Sequence, residues 1–168
     1  MDDVYGNQNS SDVKDIDREL EELLKKQAAK IKVIGVGGGG NNMVNWLYKK
    51  GVKGAEIIAV NTDAQHLTVT DADKKFIIGK DLTRGLGCGG FPQRGAEAAK
   101  ESMQYIKESL KDADMVFGCA GLGGGTGTGA APVIAKVAKD NGSIVIGTTT
   151  MPFKIERARI DKAEFGLQ

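Results

Sequence analysis

Three glycine-rich clusters each stand before a helical stretch of this chain, and they limit its possible folds more than any other feature. The first, GVGGGGNN (35–42), follows the apolar run IKVIGV (31–36), and the others are GLGCGGFP (85–92) and GLGGGTGTGAAP (121–132). The 24 glycines in 168 residues are about twice the usual share of roughly 7%, and they follow no collagen period. Because glycine lets the backbone approach a ligand closely at an entropic cost, these clusters indicate anion-binding loops.

Short apolar strands alternate with helices along the sequence. Strands are predicted at 31–36, 56–61, 74–79, 115–121 and 143–150, and the main helices after the first cluster, at 95–111 and at 129–142. This alternation predicts an α/β fold, a Rossmann-like parallel sheet in three layers with helices on both faces. Ligands of such sheets bind at the carboxyl ends of the strands. The last stretch, ERARIDKAEFGLQ, predicts a further helix with no strand after it.

The first 30 residues differ from the rest. Residues 1 to about 11 are polar and predicted to be disordered, and Ser11 is a suitable cap for an amphipathic helix that is acidic early and rich in lysine late. One apolar stripe favours docking of this helix on the domain over docking on a partner. The stripe consists of Ile16, Leu20, Leu23 and Leu24. The predicted organisation is a tail and helix over 1–30 and an incomplete nucleotide-binding domain over 31–168.

Composition excludes several classes of function. Lys+Arg (23) and Asp+Glu (22) nearly cancel, so no nucleic-acid partner is expected. No apolar run approaches the roughly 20 residues of a membrane span, and the acidic start does not resemble a signal peptide. We therefore expect a cytoplasmic protein without direct membrane insertion. Cys88 and Cys119 form neither a disulfide framework nor a metal cluster and are expected to be reduced.

The first glycine cluster joins a strand directly to a helix, an arrangement that favours phosphate binding. Gly35, Gly37 and Gly40 also match the G-x-G-x-x-G pattern, although Asp63 follows later than the roughly 20-residue spacing of a ribose-binding acid. Taken singly, the cluster is also compatible with a tight turn that binds nothing, or with a nicotinamide or flavin oxidoreductase.

The glycine cluster at 121–132, the second loop of this kind to be considered, narrows the possible ligands to mononucleotides. Thr126 and Thr128 carry hydroxyls that can donate to phosphate oxygens. The segment 121–132 holds no lysine and no G-K-[ST], which argues against a Walker-type NTPase. A dinucleotide-binding fold needs only the first loop. Two phosphate-binding loops in one sheet therefore favour a nucleoside di- or triphosphate as the ligand.

The remaining polar residues leave alternatives open. The cluster at 85–92 is either a loop that closes over a terminal phosphate or a flexible turn. Asp63, after the strand at 56–61, either holds Mg²⁺ through water or caps a helix. His66 is the only histidine, and with no nucleophile or metal set around it we interpret it as a surface residue, which excludes metallohydrolase and Ser/His chemistry.

Five motifs in this order, GVGGGGNN, NTDAQ, GLGCGG, GGGTGTGAAP and MPFKIE, resemble the FtsZ branch of the tubulin family from about residue 30 to the C-terminus. The leading helix resembles the extra N-terminal helix of archaeal members. The resemblance implies a protein that binds GTP or GDP with Mg²⁺, hydrolyses GTP and assembles head to tail into the ring of a dividing cell. Its implied location is the cytoplasmic division site, and its implied partners are its own copies and other cell-division proteins.

The resemblance also implies which residues bind the nucleotide. Residues of the glycine clusters at 35–42 and 121–132 would bind the α- and β-phosphates. They are Gly38, Gly39, Gly40, Asn41, Asn42, Gly123, Gly124, Gly125, Thr126, Gly127, Thr128 and Gly129. Gly87 and Gly89 would approach the γ-phosphate, with Mg²⁺ held through water near Asp63.

A third group would lie at the ribose. Glu156 and Arg159 match family positions that contact the ribose and nucleotide, with Pro152 nearby, although the family usually has one more residue between the acid and the arginine. Asn41 replaces a glycine of many bacterial members, and Cys88 stands where alanine is commoner.

Length is the largest departure from the family. Its members continue with a strand, a long central helix, a second domain and the catalytic acids, which enter the neighbouring subunit's site. The resemblance therefore implies the N-terminal half of such a GTPase, with no catalytic residue of its own and little hydrolysis alone. The alternative is a module that caps or assists filaments without catalysis.

Overall fold

The described part of the chain, residues 14–22 and 28–167 of the computed structural model, is built on one sheet of five parallel strands. The strands are β1 (Ile31–Val36), β2 (Ala55–Asn61), β3 (Lys74–Ile77), β4 (Met115–Gly121) and β5 (Ile144–Thr150). Their order across the sheet is β3-β2-β1-β4-β5, and Ile31 at the start of β1 pairs with Ala55 on one side and Met115 on the other. The predicted parallel α/β sheet is confirmed.

Helices cover both faces of the sheet. The helices of the described residues are α1 (14–22), which lies apart from these faces, α2 (Gly37–Lys49), α3 (Ala64–Thr68), α4 (Lys80–Thr83), α5 (Pro92–Glu101), α6 (Met103–Ser109), α7 (Thr126–Asp140) and α8 (Ala158–Leu167), with a 3-10 turn at Lys154–Glu156. Neighbouring residues of β1 serve opposite faces: Val33 packs with Val44 of α2, and Ile34 packs with Ala98 of α5 and Ile134 of α7. This alternation of side chains along a strand produces the predicted three layers.

Two helices differ from prediction, one in its middle and one at its start. The stretch predicted at 95–111 is interrupted at Ser102, whose hydroxyl accepts a hydrogen bond from the Gly79 amide at 3.0 Å. Helix α7 begins at Thr126 rather than at residue 129. The threonines and glycines at 126–129 therefore form the first turn of a helix, where a low intrinsic helix propensity costs little.

Helix α1 does not pack on the domain through the described part of its stripe. Ile16 is 54% exposed and Leu20 is 51% exposed, so the predicted docking is wrong for these two side chains. Ser11, Leu23, Leu24 and the tail lie outside the described residues. The division of the chain at residue 30 stays a prediction.

Two simpler expectations concern thiols and membranes. Cys88 and Cys119 are free and buried, and burial raises the pKa of the Cys119 thiol. Among residues 14–22 and 28–167, no helix combines the length and the apolar character that a membrane crossing requires.

A carboxylate links three strands at the end of the sheet opposite the glycine clusters. Glu56 on β2 lies 2.6 Å from the Lys74 ammonium on β3 and 3.3 Å from the Lys32 ammonium on β1. Partial burial raises the pKa of the Glu56 carboxyl, but the hydrogen bonds and charges of Lys74 and Lys32 outweigh it and lower the pKa overall.

We expect Glu56→Gln to lower the free energy of unfolding near neutral pH by less than about 1 kcal/mol, because the pairs are partly exposed. A carboxyl whose pKa is lowered by folding stabilises the protein above its unfolded pKa, and this contribution is lost as the pH falls through the folded value. Urea unfolding across acidic pH should therefore show the two proteins converging. A constant difference at every pH would contradict the ion-pair account.

Candidate functional site

The crevice that could hold a ligand lies at the carboxyl ends of β1 and β4. These strands are neighbours in the sheet, yet α2 leaves β1 toward one face while α7 leaves β4 toward the other. A reversal of this kind opens a gap between the two connections, and open α/β sheets bind ligands there.

Two long helices begin at this crevice without side-chain caps. Helix α2 (13 residues) follows Val36 and helix α7 (15 residues) follows Gly125, and neither residue makes a side-chain cap hydrogen bond. The first four N–H groups of each helix have no intrahelical partner and carry the positive end of the helix dipole. The two turns touch, since a Cβ placed on Gly37 would lie 2.7 Å from the Gly127 nitrogen. Two sets of free amides thus converge on one place suited to phosphate.

The crevice is an open cleft of ≈ 670 Å³ that gathers most of the predicted site residues. Those that line it are Gly38, Gly39, Asp63, Gly87, Gly89, Gly124, Gly125, Thr126, Gly127, Pro152, Glu156 and Arg159. All three glycine clusters and the segment after β5 therefore meet at one site, as their order along the chain predicted.

The two predicted asparagines do not reach the cleft. Asn41 is fully buried, and with its amide oriented to suit its neighbours Nδ2 donates to the Gly35 carbonyl at 2.8 Å and to the Val60 carbonyl at 3.2 Å. Asn42 lines a different, apolar cleft beside Trp46. The Asn41 side chain is therefore unavailable to a phosphate, because it bonds to the ends of β1 and β2, whereas the assignment of Asn42 stays a prediction.

Four further predicted residues support the cleft without lining it: Gly40, Gly123, Thr128 and Gly129. The Thr128 hydroxyl accepts from the Gly123 amide at 2.9 Å, which closes the second loop on itself. A Cβ on Gly40 would collide with the Cys119 carbonyl, and one on Gly129 with the Pro92 carbonyl. Glycine is required at these two positions because backbones pack closely there, and their contact with phosphate stays a prediction.

Asp63 caps helix α3, as one of the two alternatives predicted. Its Oδ1 accepts from the Gln65 amide at 2.9 Å and the His66 amide at 3.2 Å. Because both bonds use the same oxygen and the residue lines the cleft, capping leaves the second oxygen available to a hydrated cation.

Glu156 and Arg159 form a pair at the mouth. Glu156 accepts from the Phe153 amide at 3.0 Å through Oε1 and from the Arg159 guanidinium at 2.8 Å through Oε2. Both residues line the cleft, so the shortened spacing still places the arginine at the site.

Sequence reasoning missed a layer of side chains around the cleft. Asn61, His66 and Cys88 line it, and His66 is half-buried, so its interpretation as a surface residue is wrong. Its position three residues after the capping Asp63 was the available signal, because the first turn of a short helix points back toward the strand end.

A buried cluster of hydroxyl and thiol groups joins three loops. Thr62 Oγ1 lies 2.7 Å from Thr126 Oγ1 and 3.4 Å from Cys88 Sγ. Thr62 follows β2, Cys88 belongs to the 85–92 cluster and Thr126 begins α7. The cluster holds the loops in register, and the Thr126 hydroxyl is engaged there.

We expect Thr62→Val to destabilise the chain by about 1–2 kcal/mol, since it keeps the shape and leaves buried hydroxyls short of a partner. Thr62→Ser should restore most of the loss in a urea titration. Thr68→Val is the control, because Thr68 is exposed. A Thr62→Val chain as stable as the unmodified one, beside a destabilised Thr62→Ser chain, would show that packing of the methyl group matters instead.

A larger cleft of ≈ 930 Å³ lies at the outer edge of β3, lined by residues such as Lys75, Phe76 and Tyr105. It contains no glycine turn and faces no start of a long helix, so size does not identify the functional site here. In the described residues, no group of three or more His, Cys, Asp or Glu side chains could hold a metal directly.

Comparison with known proteins agrees with the geometry. The model of the Tubulin/FtsZ family, GTPase domain, matches residues 30–168. Cell division protein FtsZ 2 of Methanocaldococcus jannaschii is 59% identical over 139 residues, covering 83% of this chain, and FtsZ 1 of Thermococcus kodakarensis is 55% identical over 155 residues, covering 92%.

Solved structures give the same result. An empty FtsZ dimer of M. jannaschii superposes with a TM-score of 0.86 at 52% identity, covering 90% of this chain and 45% of that one. A GTPγS-bound protofilament of CetZ2 from Haloferax volcanii gives 0.74 at 29% identity, covering 82% and 45%. The chain spans only 37% of the FtsZ 2 relative and 42% of the FtsZ 1 relative.

Proposed function

This chain belongs to the tubulin/FtsZ family, and from that membership we propose that its cleft binds GTP and GDP as the nucleotide-binding half of a cell-division GTPase. The polyphosphate would lie across the starts of α2 and α7. The whole protein would assemble head to tail at the cytoplasmic division site, together with other cell-division proteins.

The observation that carries this proposal is the meeting of two uncapped helix starts at the switch point of the sheet. Glycines in both turns let the backbone amides face a ligand without intervening side chains. A Cβ on Gly124 would meet nothing within 4 Å, so the cleft has free space next to these amides. The open space in the cleft, the free backbone amides and the direction of the helix dipoles all suit a polyphosphate.

Mg²⁺ would bind through Asp63 and the phosphates together. Mg²⁺ keeps several waters and usually takes only one or two protein carboxylates. Asp63 supplies one oxygen beyond those used in its cap and lines the cleft near Gly87. This arrangement needs no preformed metal cluster.

Hydrolysis would depend on groups beyond this set of residues. Phosphoryl transfer relies on positioning and charge stabilisation, together with a residue that orients the attacking water. Of the carboxylates lining the cleft, Asp63 would use its remaining oxygen for Mg²⁺ and Glu156 is engaged in an ion pair. The chain would therefore supply the phosphate-binding loops, and the catalytic acids would come from a neighbouring subunit.

Phosphate release from GTP tests this division of labour. The purified chain should bind labelled GTP, lose it to an excess of unlabelled GDP, and release phosphate slowly at every protein concentration. Fast turnover that rises with the concentration of this chain would contradict the proposal.

A second candidate function is capping of a filament end. Apolar side chains surround the mouth of the cleft, with Leu86 81% exposed, Phe153 80% and Ile155 88%. Such a rim is suited to docking on another subunit. Sub-stoichiometric chain should then lower light scattering by a full-length relative polymerising with GTP, and unchanged scattering would exclude capping.

A further inference from the structure

The single histidine of this chain lies in the wall of the cleft. His66 is half-buried on α3 and lines the cleft with Gly38 of the first turn of α2. The closest heavy atom to a Cβ placed on Gly38 would be His66 Nε2, at 3.9 Å. The imidazole therefore stands beside one of the amide sets that converge on the cleft.

Hydrogen bonds determine which ring nitrogen carries the proton. Asn61 Oδ1 accepts from the amides of Thr62 at 2.9 Å and Asp63 at 3.3 Å, so the Asn61 oxygen faces the backbone. Asn61 Nδ2 then donates to Asn41 at 3.2 Å and faces His66 Nδ1 at 3.4 Å. Since an amide NH₂ only donates, Nδ1 must accept, and the neutral ring carries its hydrogen on Nε2.

Within residues 14–22 and 28–167, the Nε2–H group has no protein acceptor. Among the hydrogen bonds of the described residues, the side chain of His66 makes only the contact through Nδ1. A donor held by a positioned partner and directed into a cleft that already presents free amides suits an anionic oxygen.

We propose that His66 binds the phosphate chain of the nucleotide by donating a hydrogen bond from Nε2. The proposal rests on the proposed function, because the phosphate is that of the nucleotide in this cleft. Asn61 acts as its positioning residue, since its amide selects the tautomer. His66 thus adds a side-chain donor to a site that otherwise offers mainly backbone amides.

NMR of the unmodified chain tests the contact directly, since a single histidine gives one set of imidazole signals. Long-range ¹H–¹⁵N spectra should show the Nε2-protonated form. Saturation with GDP or with inorganic pyrophosphate should shift Nε2, whereas guanosine, which has no phosphate, should leave it in place. An Nε2 signal that stays unchanged when pyrophosphate is bound would overturn the proposal.

Affinity of variants gives an independent readout. His66→Ala should weaken GDP binding about tenfold, which is about 1.4 kcal/mol and typical of a hydrogen bond to a charged group. His66→Gln should recover part of the loss, and Gln65→Ala, an exposed neighbour on the same helix, should bind as the unmodified chain does. Unchanged affinity in His66→Ala would overturn the inference alone, whereas failure of the unmodified chain to bind GDP and pyrophosphate would overturn the proposed function as well.

Discussion

Replacing Asn41 by alanine is expected to lower the free energy of unfolding by about 3 kcal/mol, because buried polar groups lose their partners. The side chain has no exposure to solvent, and its amide serves the carbonyls of Gly35 on β1 and Val60 on β2 and the amide of Asn61. Asn41→Asp should be equally unfavourable, since a carboxylate cannot donate to the two carbonyls. Chemical denaturation measures both effects.

The neighbouring residue is the matched control. Asn42 is exposed and lies outside the cleft, so Asn42→Ala should change stability by less than about 0.5 kcal/mol and leave GDP affinity intact. If instead the side chains bind phosphate as the motif implies, Asn42→Ala would lose affinity and Asn41→Ala would keep its stability. That pattern would contradict the account of Asn41.

We expect the second large effect from Gly129→Ala, which should destabilise the chain by about 3 kcal/mol through overpacking. Gly129 lies in the first turns of α7 where this helix meets the start of α5, and a Cβ there would overlap the Pro92 carbonyl and lie 2.8 Å from the Ala96 nitrogen. Backbone atoms cannot rotate away, so the two helices must separate. Because α7 also presents its amides to the cleft, nucleotide affinity should fall with stability.

Gly124→Ala provides the comparison within the same glycine cluster. A Cβ at Gly124 meets nothing within 4 Å, so this variant should unfold within about 0.5 kcal/mol of the unmodified chain. Equal destabilisation of Gly124→Ala and Gly129→Ala would mean that glycine content of the loop matters, and that close helix packing does not.

The architecture could be predicted from the sequence because strand and helix signals are local. The run at 31–36 is apolar, β-branched and ended by glycines, and the structure places β1 at the same residues. The crevice was also predictable, since glycine clusters after parallel strands must gather at one edge of the sheet.

Helix starts and side-chain roles were harder to predict because they depend on tertiary contacts. Glycine and threonine favour loops, yet the residues from Thr126 to Gly129 are helical because α7 packs on α5 and the sheet. Asn41 is buried against the ends of β1 and β2, and His66 turns into the cleft because Asp63 caps α3. No local pattern distinguishes these roles from a phosphate contact or an exposed side chain.

Isothermal titration calorimetry of the purified, folded chain with GDP, beside ADP, NAD and inorganic pyrophosphate, tests the central claim most directly. Our account predicts saturable binding of GDP and pyrophosphate, with both weakened in Gly129→Ala and retained in Gln65→Ala, whose side chain is exposed. Tighter binding of NAD than of GDP, or no binding of any phosphate compound by a chain shown to be folded, would contradict the assignment of this cleft.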